Sequence, residues 1–377
     1  MKILHIITGL NLGGAEKVLY RLLMSQKDRS LTVISLTSLG VIGKQLEKKG
    51  FRVIALNLKP YNLPIIMYKL YKLICHYKPT ILQTWLYHAD LIGGLAAKIA
   101  GVRCIVWGVR TTELRKGSYM VTVIRRVSAW LSYWIPNKIV VVAERAKQKH
   151  INLGYDASKM LVIPNGFNVQ TFDIASALAA DLKQVTSIKD NDLVIGCIGR
   201  LSQVKGQDIF IKAAGLILQK FPGVKFLMVG RGLESKNQAV TSLIEKNARL
   251  ESFILLGERS DIPVCLRVMD IFCLPSRSEG FPNALGEAMF LGVPCVSTDA
   301  GDAAVLGGDD VPIAKVNDPE DLSNKLIGMI EKSQQERKKI GQRLTQRIIV
   351  KYSIERMTSR YQTLYEELER DCYICAE

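Results

Sequence analysis

The sequence alternates short runs of Val, Ile and Leu with longer stretches of helical periodicity, and it does so twice. In the first half, residues 2–7, 31–36 and 52–56 are typical of buried strands, and a helical pattern follows each of them. The same alternation restarts at residues 193–199. Strands that alternate with helices form a parallel sheet covered on both faces by helices. The chain is therefore predicted to be an α/β protein with two doubly wound, Rossmann-like domains.

The length of 377 residues suits two domains better than one core. We expect an N-terminal domain over residues 1–170 and a C-terminal domain over residues 171–352. The polar stretch 171–192 lacks a strong period and is interpreted as the linker. Residues 353–377 form a long amphipathic pattern, which we expect to be a helix that returns to the first domain. The two domains are expected to face a cleft.

One segment, residues 278–289, follows the predicted strand 271–275 and runs into a helical pattern. Ligands of doubly wound sheets bind at the carboxyl ends of strands. Pro282 suits the first turn of a helix, where its missing N–H costs nothing. The backbone amides of Phe281, Asn283 and Ala284 are then predicted to be free, next to Gly280. A helix N-terminus of this kind favours an anion such as a pyrophosphate.

Two glutamates lie within this segment, with Glu279 on the loop and Glu287 about one turn into the helix. Each carboxylate can accept hydrogen bonds from a pair of vicinal hydroxyls, one pair on a hexose and one on a ribose. The alternative is a solvated loop glutamate and an exposed helix glutamate.

A second segment, residues 199–206, follows the first predicted strand of the second domain. It begins with Gly199 and carries Arg200 and Lys205, which can hold a diphosphate between them. The alternative is that both cations are ordinary surface residues.

The loop after the first strand, residues 9–14, contains Gly13 and Gly14 but is not a GxGxxG sequence. No acidic residue ends the predicted strand 31–36, which argues against a dinucleotide site. The two glycines allow a ligand to approach the backbone closely.

No metal site is predicted. Asp190 and Asp192 precede a strand in a polar stretch and are interpreted as a solvated turn. Cys372 and Cys375 have no second pair or nearby His, so zinc is not expected.

Taken together, these segments resemble the signature of the retaining glycosyltransferases of family 4, also named group 1. The resemblance extends to residues 13–16, 163–166 and 292–301, and so spans most of the chain in the expected order. It implies the two-domain GT-B fold and a nucleotide diphosphate sugar held mainly by the second domain. No cofactor or metal is implied.

The resemblance also implies roles for individual residues. Glu279 would orient the hydroxyls of the donor sugar, and Glu287 would hold the ribose. Arg200 and Lys205 would stabilise the departing diphosphate. His88, beyond the predicted strand 81–84, matches a family histidine that faces the donor sugar, although a lone histidine is more often structural. Arg110 is similarly placed after a strand and has a weaker assignment, to the acceptor or the membrane.

The charge of the chain is concentrated in its first half. Residues 1–170 contain 25 Lys and Arg and 7 Asp and Glu, whereas residues 171–377 contain 26 and 28. Such asymmetry indicates an anionic partner for the first half, either nucleic acid or a membrane surface. The region around residues 114–135 combines aromatic residues with four basic ones, Arg115, Lys116, Arg125 and Arg126. This composition suits a membrane interface, and the alternative is a core-facing helix with a solvated basic side.

The expected function is transfer of a hexose or N-acetylhexosamine from a nucleotide diphosphate sugar, with UDP as the favoured nucleotide. The acceptor is expected to be a lipid-linked or cell-surface glycan. The N-terminal apolar run is too short for a signal peptide, and no run reaches the ~20 residues of a membrane span. We therefore expect a cytoplasmic protein, peripheral at the inner face of the cell membrane. The alternatives are an epimerase or phosphorylase of the same fold, or a non-catalytic module that binds anionic lipid. Nucleic acid is not the expected partner.

Overall fold

The computed structural model describes residues 2–11, 13–26, 31–110, 119–167 and 172–374 of the chain. The chain divides into two compact units. The first comprises Met1–Gly166 and Ile354–Glu377, and the second comprises Phe167–Ser353.

The first unit is built on a parallel sheet that has seven strands within the described residues. Its strands are β1 (Ile3–Ile7), β2 (Thr32–Ser35), β3 (Arg52–Ala55), β4 (Ile81–Trp85), β5 (Cys104–Val109), β6 (Lys138–Val141) and β7 (Met160–Val162). The spatial order is β3-β2-β1-β4-β5-β6-β7. Leu4 of β1, for example, lies between Thr32 and Leu82 in the parallel register.

Helices cover both faces of this sheet. They are α1 (Gly14–Ser25), α2 (Gly40–Lys48), α3 (Leu63–Tyr77), α4 (Tyr87–Ile99), α5 (Tyr119–Leu131) and α6 (Glu144–Ile151). Ile3 and Ile7 of β1 belong to one apolar cluster, and Leu4 and Ile6 belong to another. Burial on both faces explains why the strands are continuous apolar runs rather than alternating ones.

The second unit repeats this design with a parallel sheet of six described strands. They are β8 (Val194–Ile198), β9 (Lys225–Val229), β10 (Phe253–Leu255), β11 (Ile271–Leu274), β12 (Cys295–Thr298) and β13 (Ile313–Ala314), in the order β10-β9-β8-β11-β12-β13. Its helices are α7 (Phe172–Val185), α8 (Gln207–Lys220), α9 (Gln238–Asn247), α10 (Ile262–Arg267), α11 (Asn283–Phe290), α12 (Ala303–Gly307), α13 (Pro319–Ile330) and α14 (Gln334–Tyr352).

The prediction that residues 171–192 form a linker is wrong. Most of this stretch is helix α7, which packs against α10 within the second unit. Ala179 and Leu182 are buried at helical spacing. The alanine-rich composition favours a helix, but it gives only a weak apolar period because alanine is small. The chain instead passes between the units at Gly166 and Phe167.

The last helix, α15 (Ile354–Ile374), returns to the first unit as predicted. Tyr361 and Tyr365 on this helix are fully buried in the same apolar cluster as β1 and α1. The two Rossmann-like sheets predicted from the alternating pattern are therefore confirmed. Among the described residues, no helix is both long and apolar enough to span a membrane.

Each sheet has one topological switch point, where the strand order changes direction. In the first unit it lies between β1 and β4, and in the second between β8 and β11. Ligands of doubly wound sheets bind in the crevice at this point, outside the carboxyl ends of the two strands. A ligand site is therefore expected at the loops after these four strands.

Candidate functional site

The loop after β8 carries Gly199 and Arg200 and is held by a side chain that the sequence did not single out. The buried Gln207 donates hydrogen bonds to the carbonyl oxygens of Gly199 at 3.1 Å and Arg200 at 3.0 Å. Gly206 precedes it with φ +66°, and a Cβ there would lie 2.0 Å from the carbonyl oxygen of Pro275. Only glycine therefore lets this loop approach the loop after β11 so closely.

Lys205 and Glu279 meet across the switch point of the second unit. The Lys205 Nζ lies 2.8 Å from Oε1 of Glu279 and 3.0 Å from Oε2. The hydroxyl of Ser276 donates to the same Oε1 at 2.6 Å. Glu279 is only 7% exposed, whereas the Lys205 side chain is 29% exposed. Two residues predicted separately, from segments more than seventy positions apart, thus form one charged centre at the edge where a ligand is expected.

Arg277, which no sequence pattern had indicated, joins the two loops that carry this ion pair. Its guanidinium makes two hydrogen bonds to Asp208 at 2.7 and 2.6 Å, and its backbone N–H donates to the carbonyl oxygen of Val204 at 2.7 Å. The guanidinium also donates to the carbonyl oxygen of Gln203 at 2.5 Å. The hydrogen bonds from Arg277 lower the pKa of Asp208. Arg277 therefore fixes the turn that ends in Lys205 relative to the loop that carries Glu279.

The entry to α11 differs in detail from the prediction. Pro282 occupies the N-cap position rather than the first helical position. The amide of Asn283, predicted to be free, donates to the carbonyl oxygen of Phe281 at 2.8 Å, so that part of the prediction is wrong. With Pro282 at the N-cap, the amide of Asn283 lies next to the carbonyl oxygen of Phe281, and the three residues form a tight turn.

The aromatic ring of Phe281 is buried between two other rings of the second unit. The ring centroids of Phe167 and Tyr352 each lie 6.3 Å from that of Phe281. A Cβ at Gly286 would lie 2.1 Å from the ring of Phe167, so α11 can pack on this cluster only with glycine there. The cluster fixes the start of α11, and with it Gly280, Ala284 and the half-buried Glu287.

Comparison with known proteins identifies the family. The model of the family described as Glycosyltransferase Family 4 matches residues 12–171, and that of Glycosyl transferases group 1 matches residues 192–332. The chain is 30% identical over 272 residues to the UDP-Gal:alpha-D-GlcNAc-diphosphoundecaprenol alpha-1,3-galactosyltransferase of Escherichia coli, which covers 68% of each chain. The chain belongs to glycosyltransferase family 4, group 1.

Two further similarities extend over more of this glycosyltransferase. It is 27% identical over 304 residues to the capsular polysaccharide biosynthesis glycosyltransferase CapM of Staphylococcus aureus, covering 78% of this chain and 79% of that one. The crystal structure of Anabaena HepE in complex with UDP aligns with a TM-score of 0.86 and 23% identity, over 97% of this chain and 100% of that chain. The predicted GT-B fold is thereby confirmed.

The glycosyltransferase's first unit places Gly13 and Gly14 at the N-terminus of α1, beside the switch point between β1 and β4. A Cβ at Gly13 would lie 2.3 Å from the carboxylate of Glu16, so that carboxylate folds back over the glycine. Burial raises the pKa of Glu16. The sequence pointed to the two glycines, and the resemblance included Glu16 without giving it a role.

His88 lies on the other side of this switch point, as the second residue of α4. Burial lowers its pKa, so the imidazole is neutral at pH 7. Leu86, which caps the helix, has φ +74° and ψ 153°, a conformation that is strained for any residue except glycine. Such strain is found where the chain must present a side chain in one particular direction. The position of His88 is therefore compatible with the role that the resemblance implies.

Arg110 follows β5 and is bound within the first unit. Its guanidinium stacks on Trp85 at 4.5 Å and donates to Oδ1 of Asn165 at 3.2 Å and to the hydroxyl of Tyr361. These contacts tie the end of β5 to α15 and to the segment before the crossing between units. An acceptor role for Arg110 stays a prediction.

The four basic residues assigned to a membrane surface do not share one environment. Arg125 is only 6% exposed on the inner face of α5, so the prediction that it lies at a membrane-facing surface is wrong. Its charge lowers the pKa of His150, although burial is the larger cause of that shift. Arg126 is exposed, and Arg115 and Lys116 lie outside the described residues.

The residues considered for metal binding are arranged differently. Asp190 pairs with Lys183 at 3.6 Å, and Asp192 accepts a hydrogen bond from the backbone of Lys189 at 2.9 Å. They form the turn that was predicted before β8. In the described part of the chain, no three His, Cys, Asp or Glu side chains are grouped so that they could hold a metal ion.

Proposed function

We propose that this glycosyltransferase moves a hexose or N-acetylhexosamine, with retention of configuration, from a UDP-sugar to a lipid-linked or cell-surface glycan. The observation that carries the proposal is the Lys205–Glu279 ion pair at the switch point of the second sheet. A sugar diphosphate offers each of these side chains a partner, because it has anionic oxygens beside vicinal hydroxyls.

Donor binding would proceed by exchange of partners. The Lys205 ammonium and the exposed Arg200 guanidinium would bind the diphosphate, and the Glu279 carboxylate would accept hydrogen bonds from hexose hydroxyls. Glu287 would hold the ribose. Ser276 already donates to Glu279, so the carboxylate keeps its orientation when the lysine turns to the phosphate.

The proposed chemistry is attack by an acceptor hydroxyl on the anomeric carbon from the face that the diphosphate leaves. The bond from the anomeric carbon to the phosphate oxygen breaks, and the acceptor proton passes to the departing phosphate. Lys205 and Arg200 would stabilise the charge that develops on this diphosphate. His88, neutral at pH 7, would donate or accept a hydrogen bond at the donor sugar.

The relatives support this choice of donor and acceptor. The Escherichia coli relative is described as transferring from UDP-Gal to a diphosphoundecaprenol-linked sugar, and the Anabaena structure is described as a complex with UDP. We infer a similar lipid diphosphate acceptor, in the assembly of a bacterial polysaccharide, lipopolysaccharide or glycoprotein glycan. The enzyme would act at the cytoplasmic, anionic face of the cell membrane, in keeping with the basic first half of the chain.

The test is release of free UDP from a panel of UDP-sugars, with and without a membrane extract that contains undecaprenol-linked glycans. The proposal predicts release that depends on the extract for at least one donor, and that Lys205→Met abolishes. Release of UDP without any acceptor would favour a hydrolase or an epimerase side reaction. Inactivity with every nucleotide sugar would overturn the proposal.

A further inference from the structure

The large apolar side chains that this protein exposes are concentrated in one region of the first unit. Of the twenty that are exposed among the described residues, twelve lie between residues 61 and 134. Monomeric soluble proteins scatter such residues singly, and a contiguous group marks an interaction surface. None of these twelve side chains lies on a loop after β1, β4, β8 or β11.

Helix α5 and the turn after it carry the most regular part of this region. Met120, Val123, Val127, Trp130 and Trp134 are all exposed, and they recur every three or four residues on one side of the helix. We name these five residues the apolar stripe. Trp130 and Trp134 are each 66% exposed. A surface helix of a soluble domain turns such a stripe inward, and here it points outward.

The opposite side of α5 accounts for this orientation. Arg125, Ser128, Ala129 and Ser132 are buried, and this side packs on α4. The hydroxyl of Ser132 donates to the carbonyl oxygen of Ala129 at 2.6 Å. Small and polar side chains therefore face the core, while the large apolar ones face outward.

Helix α3 adds a second exposed apolar row on the same side of the sheet. Leu70 of α3, Ala96 of α4 and Ala129 of α5 belong to one apolar cluster, and α4 contacts both other helices. The outer surfaces of α3 and α5 therefore lie on the same side of the first unit. On α3 the exposed side chains include Ile65 and Tyr68.

The charge of this region indicates what covers it. Residues 59–138 contain 12 Lys and Arg but only 2 Asp and Glu, and one of the two acids, Asp90, is buried. Lys69, Lys72 and Arg126 are exposed beside the apolar side chains. A second copy of this chain would bring like charges together, whereas an anionic bilayer is complementary in charge. Trp and Tyr with Lys and Arg are also the residues that settle at the boundary of headgroups and acyl chains.

We propose that the outer surfaces of α3 and α5 dock onto an anionic lipid bilayer, with the apolar stripe inserted at the boundary between headgroups and acyl chains. This inference rests on the proposed function in one respect, since a lipid-linked acceptor requires the enzyme to reach a membrane. It goes further in assigning the contact to two helices and in making apolar insertion, rather than charge alone, the source of affinity.

The test compares three forms of the full chain in sedimentation with vesicles of phosphatidylcholine, with or without phosphatidylglycerol. The forms are the wild type, the double variant Trp130→Ser with Trp134→Ser, and the control Val185→Ser with Val305→Ser. The control removes two exposed apolar side chains from the second unit. Because all the changed residues are exposed, we expect the three forms to fold alike, which circular dichroism verifies.

We expect the wild type and the control to bind the anionic vesicles and the tryptophan variant to bind them at least tenfold more weakly, a change equivalent to about 1.4 kcal/mol. Wild-type tryptophan emission should shift to the blue on binding, since Trp85 and Trp107 are buried and only the stripe can respond. Equal binding by all forms, or no binding by the wild type, would overturn the proposal. A wild-type dimer that becomes a monomer in the tryptophan variant would also overturn the proposal, because the surface would then join two chains.

The same variants separate this inference from the proposed function. Stabilisation by UDP, measured as a shift in Tm, should be equal in the three forms, because the changed residues lie outside the loops after β8 and β11 that carry Lys205 and Glu279. We name these two loops the donor loops. If UDP and UDP-sugars stabilise none of the forms while vesicle binding behaves as expected, the proposed function fails and the docking surface stands. If UDP stabilises all forms and the tryptophan variant still binds vesicles as the wild type does, the docking surface fails and the proposed function stands.

Discussion

At the scale of single residues, the second unit brings Lys205 and Glu279 into contact at the switch point of its sheet. The Glu279 carboxylate is nearly buried, and its partners are the Lys205 ammonium and the Ser276 hydroxyl. A buried carboxylate with a cation and a hydroxyl donor is held in one orientation. Arg200 differs, because it is exposed on the loop above. The two cations should therefore affect turnover alike and stability differently.

Arg200→Met and Lys205→Met should each lower turnover by about two powers of ten or more, the scale of losing one contact that stabilises the transition state. Arg200→Met should leave Tm unchanged. Lys205→Met should lower Tm, because it leaves the buried Glu279 without its cation, and adding Glu279→Gln should restore part of the loss. Steady-state kinetics and calorimetry measure both effects. Near-normal turnover in both single variants would contradict the assignment of Arg200 and Lys205 to the diphosphate.

The buried His5 predicts how stability depends on pH. Burial lowers its pKa to about 3, and its Nδ1 accepts a hydrogen bond from the indole of Trp85 at 3.3 Å. Between pH 6.5 and 3 the unfolded chain binds a proton at this residue that the folded chain does not bind. The titration of His5 therefore leaves the free energy of unfolding unchanged above pH 6.5 and decreases it as the pH falls below 6.5. For one such group the loss from pH 7 to pH 5 is about 2 kcal/mol.

His5→Asn keeps an acceptor for Trp85 and does not titrate, so the variant should lose about 2 kcal/mol less than the wild type from pH 7 to pH 5. Asp90 acts in the opposite sense. Burial raises its pKa to about 7, so Asp90→Asn should make the loss on acidification larger. Urea unfolding followed by tryptophan fluorescence is the measurement, since all four tryptophans lie in the first unit. An equal change in the free energy of unfolding from pH 7 to pH 5 in the wild type and both variants would contradict this prediction.

At the scale of elements, the donor loops are held together by side chains that carry no chemistry themselves. Arg277 pairs with Asp208 on the first turn of α8 and binds the backbone of the turn that ends in Lys205. Gln207 holds the other end of the same loop. A site placed within a fraction of an ångström needs such support.

Arg277→Lys keeps the charge but cannot make the paired hydrogen bonds to Asp208. It should lower kcat/KM by about tenfold, since Lys205 loses its fixed position. Adding Asp208→Asn should cost little more, because the two residues act as one unit. Arg343→Lys is the matched control, since Arg343 pairs with Asp310 in the same unit, and it should leave kcat/KM unchanged. Additive losses from Arg277→Lys and Asp208→Asn would contradict a shared role.

The elements also show how far the sequence could be interpreted. The strands and the residues that follow them were predictable, because buried parallel strands are long apolar runs and ligands bind at their carboxyl ends. Lys205 and Glu279 were found in this way. Arg277 and Gln207 could not be found, since an Arg or Gln next to a loop is usually solvated. The surface position predicted for Arg125 was wrong for a similar reason, because a basic residue on a helix is expected to face solvent.

At the scale of the whole molecule, the net charge differs between the two halves of the sequence. The donor loops lie in the nearly neutral second half, and the basic surplus lies in the first. In the proposed site, Lys205 and Arg200 would supply the positive charge that a departing diphosphate needs. We therefore expect the basic surplus of the first half to serve a different anionic partner.

This arrangement predicts that turnover does not require a divalent cation. The activity should survive dialysis against EDTA, because in the proposed site Lys205 and Arg200 would neutralise the diphosphate without a metal ion. Turnover with and without EDTA is the measurement, with a magnesium-dependent enzyme as the positive control. Complete loss of activity that manganese restores would show that Asp190 and Asp192 have a role that the turn geometry does not suggest.

The central claim is that Lys205 and Glu279 share one sugar diphosphate, the lysine on the phosphate and the glutamate on the sugar. Calorimetric titration of UDP and of the preferred UDP-sugar into three proteins tests this claim most directly. Lys205→Met should weaken the binding of both ligands by at least tenfold, a change equivalent to about 1.4 kcal/mol. Glu279→Gln should weaken only the UDP-sugar and leave UDP as tightly bound as in the wild type. Equal effects of Glu279→Gln on both ligands, or unchanged binding in both variants, would contradict the account.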